Sequence, residues 1–342
     1  IISKIYNKKP VGLINQYDFQ TEIFMKSFGI NKFYYIPEGN FFSRIKYFFK
    51  SVNMISKIKK TDELTKLTYE KVDIGKIVYN HFIRYNGIGS IDNITPKFYV
   101  FLSKALLVHD FAKAFFETKK FKEVVQSESQ FIPPTLIFQN ALNNNCNIFS
   151  RIGTSNKISV RIYNTSNEFY KNRYRFSKKL FNLVYEKFKN KVIENADEII
   201  KKRFLGTFGY SPDHDIEENM QHKFNYEKKI NLIDNYTKNE LCKKYDWDVN
   251  MPIVVIFSID LTDGIYTNSW RLFKDNLTWI KETLNIIKEI NHINWLVKSH
   301  PNDVKNKVIT STEKEVLKLS KNFKNINLFP IDFGNNSLPE II

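Results

Sequence analysis

The apolar positions along the chain switch between two periods, and each switch marks an element. The run at 252–258 holds Ile253, Val254, Val255, Ile256 and Phe257 without interruption, the pattern of a strand buried on both faces of a parallel sheet. Beyond it Leu272, Phe273, Leu277, Ile280, Leu284, Ile287 and Ile290 recur every three or four residues. That spacing predicts a helix over 270–290, with Lys274, Lys281, Glu282, Lys288 and Glu289 on its wet side. Residues 295–297 supply the next strand. A strand-helix-strand connection of this length predicts a right-handed parallel crossover. Such sheets bind ligands beyond the carboxyl ends of their strands, so the loops at 258–264 and 298–303 should line one crevice.

The first half repeats the theme. Strands at 11–15 and 32–36 flank a helix at 19–28. Residues 41–59 form a basic amphipathic helix with Phe42, Ile45, Phe48, Phe49 and Val52 on one side, suited to pack on its own domain or to lie on a membrane surface. Helices follow at 73–85 and 96–118, then a strand at 123–127, a helix at 131–143 opened by Pro133 and Pro134, and strands at 147–151 and 157–163. This alternation predicts a second doubly wound sheet. A helix at 176–204 ends it. The stretch around 206–236 is poorest in core pattern, and helices at 239–245 and 312–321 with a strand at 326–329 complete the second sheet. The expected division is a first domain at 1–205, a connection at 206–236 and a second domain at 237–342.

Composition narrows the picture. A chain of 342 residues, 42% hydrophobic, is long enough for two cores. Its net charge of +16 favours an anionic partner: a nucleic acid, a phosphorylated substrate or an acidic membrane face. The richest basic stretch, 168–203, is either a solvated helix face or a docking surface. No helix-turn-helix, zinc-finger or aromatic RNA-binding signature accompanies the charge, which argues against a specific nucleic-acid partner. Cys146 and Cys242 are isolated, without metal-ligand spacing, and suggest a reducing compartment. No apolar run long enough to span a bilayer is present, so the expected place is cytoplasmic, with peripheral contact at an anionic inner membrane. The chain opens at Ile1 and stops where 337–342 begin a new helical pattern, so the second domain is expected to be incomplete.

The densest chemistry lies at the two strand ends. Lys298, Ser299, His300 and Pro301 bring a cation, a hydroxyl and an imidazole to one turn, each able to donate to an anionic oxygen. Opposite them stand Ser258, Asp260, Asp263 and Gly264. Asp263 either closes a turn or serves as a general base. Glu128 follows a strand of the first domain, where a base for an acceptor hydroxyl belongs in a two-domain transferase. His109 and Asp110, amid Leu106, Leu107, Phe111 and Phe115, are expected to be packing residues. Dinucleotide-loop, Walker-loop and His-Glu-x-x-His patterns are all absent, and without an Asp-x-Asp triplet the expected chemistry is metal-independent.

Ile256-Phe257-Ser258, Asp263-Gly264, Leu272-Phe273-Lys274-Asp275, Trp279-Ile280-Lys281-Glu282-Thr283 and Asn294-Trp295-Leu296-Val297-Lys298-Ser299-His300-Pro301 together resemble bacterial capsule and surface-polysaccharide biosynthesis glycosyltransferases. The resemblance is concentrated in 251–331. It implies an α/β, GT-B-like fold of two facing Rossmann-like domains with parallel sheets, the C-terminal one truncated before a Gly-Thr turn that would open a phosphate-binding helix. It assigns His300 and Lys298 to the donor's phosphates. Ser258, Ser299 and Pro301, at the same strand ends, are the further donor-site candidates, and Asp263 and Glu128, by their places after a strand of each domain, are the catalytic candidates. The implied partners are a nucleotide-sugar donor, used as substrate without a cofactor, and a glycan or lipid-linked acceptor. A polyol-phosphate transferase of the same fold and a basic nucleic-acid binder are the alternatives.

Overall fold

The computed structural model describes residues 7–126, 129–152, 159–165, 178–204, 238–266, 272–300, 302–303 and 308–329. It is a mixed α/β protein with parallel sheets of Rossmann-like type. The chain divides into two compact units. The first is Ile1–Phe82, Ile91–Ser150 and Arg161–Phe169; the second is Ile83–Ser90, Arg151–Val160 and Tyr170–Ile342.

In the first unit β1 (Gly12–Asn15) and β2 (Phe33–Ile36) pair in parallel around α1 (Phe19–Ser27). The Asp18 carboxylate caps α1 by accepting from Thr21 N, and Asn40 caps α2 (Phe41–Ile55) through Ser43 N. A short 3₁₀ turn (Thr61–Lys66) leads to α3 (Ile74–Asn86) and the long α4 (Pro96–Lys119), against which α2 packs. Then come β3 (Glu123–Gln126), α5 (Pro134–Asn143), β4 (Asn147–Ile152) and β5 (Ser159–Tyr163). Leu102, Leu106, Phe98 and Phe138 are wholly buried in the core of this unit. The single doubly wound sheet expected here is instead two: β1-β2, and a separate sheet of order β3-β4-β5. Strand-helix alternation fixes local units, but which strands share a sheet depends on pairing across long sequence separations.

Helix α6 (Lys178–Phe204), kinked at Phe188, belongs to the second unit, and the connection expected at 206–236 lies outside the described residues. The second unit's sheet follows α7 (Lys238–Tyr245) and has the order β6 (Ile253–Phe257), β7 (Asn294–Lys298), β8 (Ile326–Leu328), all parallel, with α8 (Asn276–Ile287) and α9 (Thr312–Ser320) as crossovers. The period of two along β7 divides its core. Trp295 and Val297 pack with Leu277, Ile280, Leu284 and Val316 on the α8–α9 face, while Leu296 meets Leu241, Cys242, Trp247 and Phe329 on the other. Each such side chain contributes about 1.5–3 kcal/mol on burial. Tyr245 Oη donates to Leu328 O at 2.8 Å and Trp247 Nε1 to Lys324 O at 2.6 Å, tying α7 to the β8 side.

Two expectations are corrected. Strand β6 is not buried on both faces: among the described strands it lies at the sheet edge, and Val254 and Phe257 are 36% and 50% exposed. An unbroken apolar run does not distinguish an edge strand from a central one; β7 is the covered strand, buried at its first four residues. Helix α8 starts at Asn276, six residues later than the apolar spacing predicted, because the Asp275 side chain accepts from Thr278 N at 2.7 Å and caps it there. Leu272, assigned to the buried stripe, is 96% exposed.

Candidate functional site

Register places Phe257 opposite Lys298, so β6 and β7 end level and release their chains side by side. Ser258 N donates to Lys298 O at 2.8 Å, extending the ladder by one step. From there the two loops meet, as their position at the strand ends required: Asn302 Nδ2 donates to Asp260 Oδ2 at 3.1 Å.

Asp260 is the hub of this region. Its Oδ1 accepts from Thr262 N and Thr262 Oγ1, both at 2.8 Å, and its Oδ2 accepts from Arg84 Nη1 at 3.0 Å as well as from Asn302. Its carbonyl accepts from Asn276 Nδ2 at the start of α8. Burial works to raise the carboxyl's pKa, but the Thr262, Asn302 and Arg84 donors outweigh it and hold the group below the ordinary carboxylate range. With four donors on two oxygens, Asp260 is a structural anchor and has little capacity left to act as a base.

Arg84 arrives from the C-terminal end of α3, in the segment Ile83–Ser90 of the second unit. That segment is fastened at both ends: Ile309 N donates to Gly87 O at 2.6 Å, and Gly89 N donates to Thr310 Oγ1. Gly89 packs so closely on Leu277 that an added Cβ would lie 2.8 Å from the Leu277 Cβ.

The basic turn sits beside this anchor. The Lys298 ammonium lies 5.0 Å from the Phe329 ring centroid, and burial lowers its pKa. His300 Nδ1 accepts from Asn302 N at 3.2 Å, which leaves Nε2 as the ring's N–H donor. Ser299 Oγ is buried without a hydrogen-bond partner within the chain. Asp303, 5% exposed, has one oxygen, Oδ1, in the same condition, while its Oδ2 accepts from Thr312 N at 3.4 Å. Its pKa is pushed up to about 6, first by burial and then by the Asp260 charge, against the opposing pull of Thr312, His300 and Leu261. Native interiors leave few polar atoms unpaired, so two at one strand-end turn mark it as chemically unfinished.

Ser258 is buried, its Oγ 2.6 Å from Thr312 Oγ1, where it ties the end of β6 to the first residue of α9. Asp263 is half-buried and its Oδ1 accepts from Gly264 N at 3.0 Å, the hydrogen bond of a turn. Glu128 and Pro301 lie outside the described residues. Sequence reasoning therefore found Lys298, Ser299, His300 and Ser258 at one end of one sheet. It missed Arg84, 176 residues away from Asp260 on a helix that carries no motif, and it gave Asp303 and Thr312 no role in the site.

A second polar cluster belongs to the first unit. Glu70, His109 and Asp110 bring potential ligand atoms within 4.8 Å of one another. Lys113 Nζ already holds Glu70 Oε2 at 2.8 Å, and Lys50 Nζ lies 3.7 Å from Asp110 Oδ2, which also accepts from Tyr47 Oη at 2.8 Å. Asn140 Nδ2 donates to Leu136 O and thereby presents its amide N–H to His109 Nδ1 at 3.1 Å, so His109 Nε2–H points its proton toward Glu70 Oε2 at 3.4 Å. Two ammonium groups on the carboxylates and a protonated Nε2 fit a divalent cation poorly. His109, expected as a packing residue, is buried inside a polar network that joins α4 to α5 and to Glu70.

Compared with protein-family models, with curated proteins and with solved structures, the chain matches none of them. The case for its chemistry rests on its own residues. Among the described residues, no helix is long and apolar enough to cross a membrane.

Proposed function

We propose that the chain is a GT-B-type glycosyltransferase, moving a sugar from a nucleotide-activated donor to a bacterial surface glycan or its lipid-linked precursor at the inner face of a membrane. In this reading the nucleotide-sugar side is the second unit, with its β6-β7-β8 sheet, and the acceptor side the first. The observation that supports this most is the turn after β7, where a half-buried ammonium, an unpartnered hydroxyl and an imidazole N–H follow one another at the carboxyl end of the best-covered parallel strand. A diphosphate suits all three. It brings negative charge to the Lys298 ammonium, accepts from Ser299 Oγ, and takes a hydrogen bond from His300 Nε2.

In the reaction the acceptor oxygen forms a bond to the anomeric carbon as the bond from that carbon to the phosphate oxygen breaks. The electron pair leaves with the nucleotide, and a base takes the acceptor's proton. Lys298 and His300 offset the charge that builds on the departing phosphate, where fixed donors stabilise the transition state more than the ground state. Asp263 and Glu128 are the candidate bases. Asp260, held by Arg84, keeps the loop beside this turn in place.

The test is a thermal-shift panel with CMP, CDP, UDP and GDP on the wild-type chain and on His300→Ala. A rise in melting temperature with one nucleotide, lost in His300→Ala, supports the donor site. A response confined to CDP points to polyol-phosphate transfer. No response to any nucleotide removes the reading.

A further inference from the structure

Helix α2 buries only one edge. Ser51 and Ile55 are its buried residues, on the side that packs against α4. The adjoining side keeps Phe41, Phe42 and Phe49 at 71%, 80% and 67% exposure, with Ile45 and Val52 more than a third exposed. Positions 42, 45, 49 and 52 fall on one stripe of a helix with 3.6 residues per turn, so these side chains form a continuous outward ridge. Such a ridge of large apolar groups on a folded surface marks a place that something else covers.

Charge indicates what covers it. Residues 41–60 contain Arg44, Lys46, Lys50, Lys57, Lys59 and Lys60 and no Asp or Glu. Lys50 faces Asp110, and the other five cations have no acid among residues 41–60; a protein partner with an ordinary mixed surface would not require so one-signed a set beside a Phe-rich ridge. A sheet of anionic headgroups over acyl chains matches both at once: the rings sink to the headgroup level and the lysines meet phosphate. At 15 residues α2 is too short to span a bilayer, which leaves the in-plane orientation. Beside the ridge a groove of about 690 Å³ opens between α2 and α4, walled by Phe41, Phe48, Phe49, Val100 and Leu107, with Arg44 and the Lys104–Glu38 ion pair among its polar lining. Its size suits part of an acyl chain.

We propose that the Phe42–Phe49 ridge of α2, with its flanking lysines, docks the protein on an anionic lipid bilayer. This deepens the transferase reading by naming the surface that brings the chain to a lipid-linked acceptor. The binding itself needs no nucleotide, so either claim can fail alone.

The experiment is co-sedimentation of the full chain with vesicles of phosphatidylcholine alone and with about one-third phosphatidylglycerol. Wild-type chain should bind the anionic vesicles at least about tenfold better, and salt in the range of several hundred millimolar should remove most of that advantage. The double substitution Phe42→Asp, Phe49→Asp should weaken binding about tenfold or more, and Lys46→Glu about threefold, each with an unchanged melting temperature because these side chains are exposed. Equal binding to both vesicle types, no binding, or binding that survives the double substitution overturns the proposal. So does a wild-type dimer in sedimentation velocity that the double substitution converts to monomer, which would assign the ridge to a second copy of the chain.

Discussion

Arg84 Nη1 lies 3.0 Å from Asp260 Oδ2 and also 3.0 Å from Thr262 Oγ1, joining a helix end from the first quarter of the sequence to the loop that follows β6. Asp260 is almost wholly buried and Arg84 about one-third exposed, so the pair is asymmetric: the carboxylate depends on the guanidinium more than the reverse. The planar fork of an arginine can hold a carboxylate and a hydroxyl together, which a lysine ammonium does with poorer geometry. Through Asn302 and Asn276 the same carboxylate and its carbonyl reach the basic turn and α8.

Arg84→Ala should therefore destabilise the second unit by about 1–3 kcal/mol, the cost of leaving a buried carboxylate without its cation, reduced for Arg84's own exposure. Arg84→Lys should recover part of it. Asp260's depressed pKa gives stability that is present above about pH 4 and lost as pH falls through the lower folded value. In Arg84→Ala that acid loss should begin at higher pH. All four tryptophans lie in the second unit, so fluorescence-detected urea unfolding at several pH values measures this directly.

Asp303 has the opposite sign. Its pKa is raised to about 6, so between the ordinary carboxylate value and 6 the folded state binds the extra proton, and stability falls as pH rises across that window. Asp303→Asn keeps an oxygen for Thr312 N and removes the charge. It should stabilise the second unit at pH 7–8 by on the order of 1–2 kcal/mol and flatten the slope between about pH 4 and 6. An unchanged slope in tryptophan-detected unfolding would show that Asp303 does not titrate there.

Most elements were legible because their signals are local. The spacing of Leu277, Ile280, Leu284 and Ile287, the run Ile253 to Phe257 and the cluster at Lys298–His300 each declare an element or a site within a few residues. What the sequence concealed is carried by long separations. Arg84 stands among the apolar residues of α3 with nothing to connect it to Asp260, and the separation of β1-β2 from β3-β4-β5 is a matter of pairing. The exposure of Leu272 and Phe257 was equally hidden, since hydrophobicity records what can be buried and not what finds a partner. The start of α8 is intermediate: Asp275 is a good cap by type, but the apolar period before it masked the signal.

Gly75 is required for space. A Cβ there would lie 1.9 Å from Leu64 O and 2.9 Å from Leu67 Cβ, and Leu64 is fully buried in the 3₁₀ turn, so the backbone of that turn must move. Gly75→Ala should cost the first unit about 3 kcal/mol. Gly29 offers the contrast: φ is +80° and nothing lies within 4 Å of its Cβ position, so Gly29→Ala should cost only the left-handed penalty, about 1 kcal/mol, and Gly29→Asn less. Circular dichroism melts of the three variants separate a clash from backbone strain; equal losses at both glycines would refute the distinction.

Two histidines of the first unit give it a pH response of its own. His81 lies between the rings of Phe101 and Phe131, with centroids 5.3 and 6.2 Å away, and burial, with Lys104 adding, drives its pKa down to about 4. Burial lowers His109 as well, against the pull of Glu70 and Asp110. In the unfolded chain both titrate near pH 6.5. Between that value and about 4 the unfolded state binds more protons, so the first unit loses stability as pH falls, on the order of 1–3 kcal/mol from His81 alone. His81→Phe keeps the ring packing and should remove most of that slope. Hydrogen exchange followed by mass spectrometry on peptides from α4 and α5 reads this unit apart from the tryptophan-bearing one. Protection in those peptides should drop from pH 7 to pH 5 in the wild type after correction for intrinsic exchange, and should drop less in His81→Phe, where only His109 remains; an equal drop in both would place the acid sensitivity elsewhere.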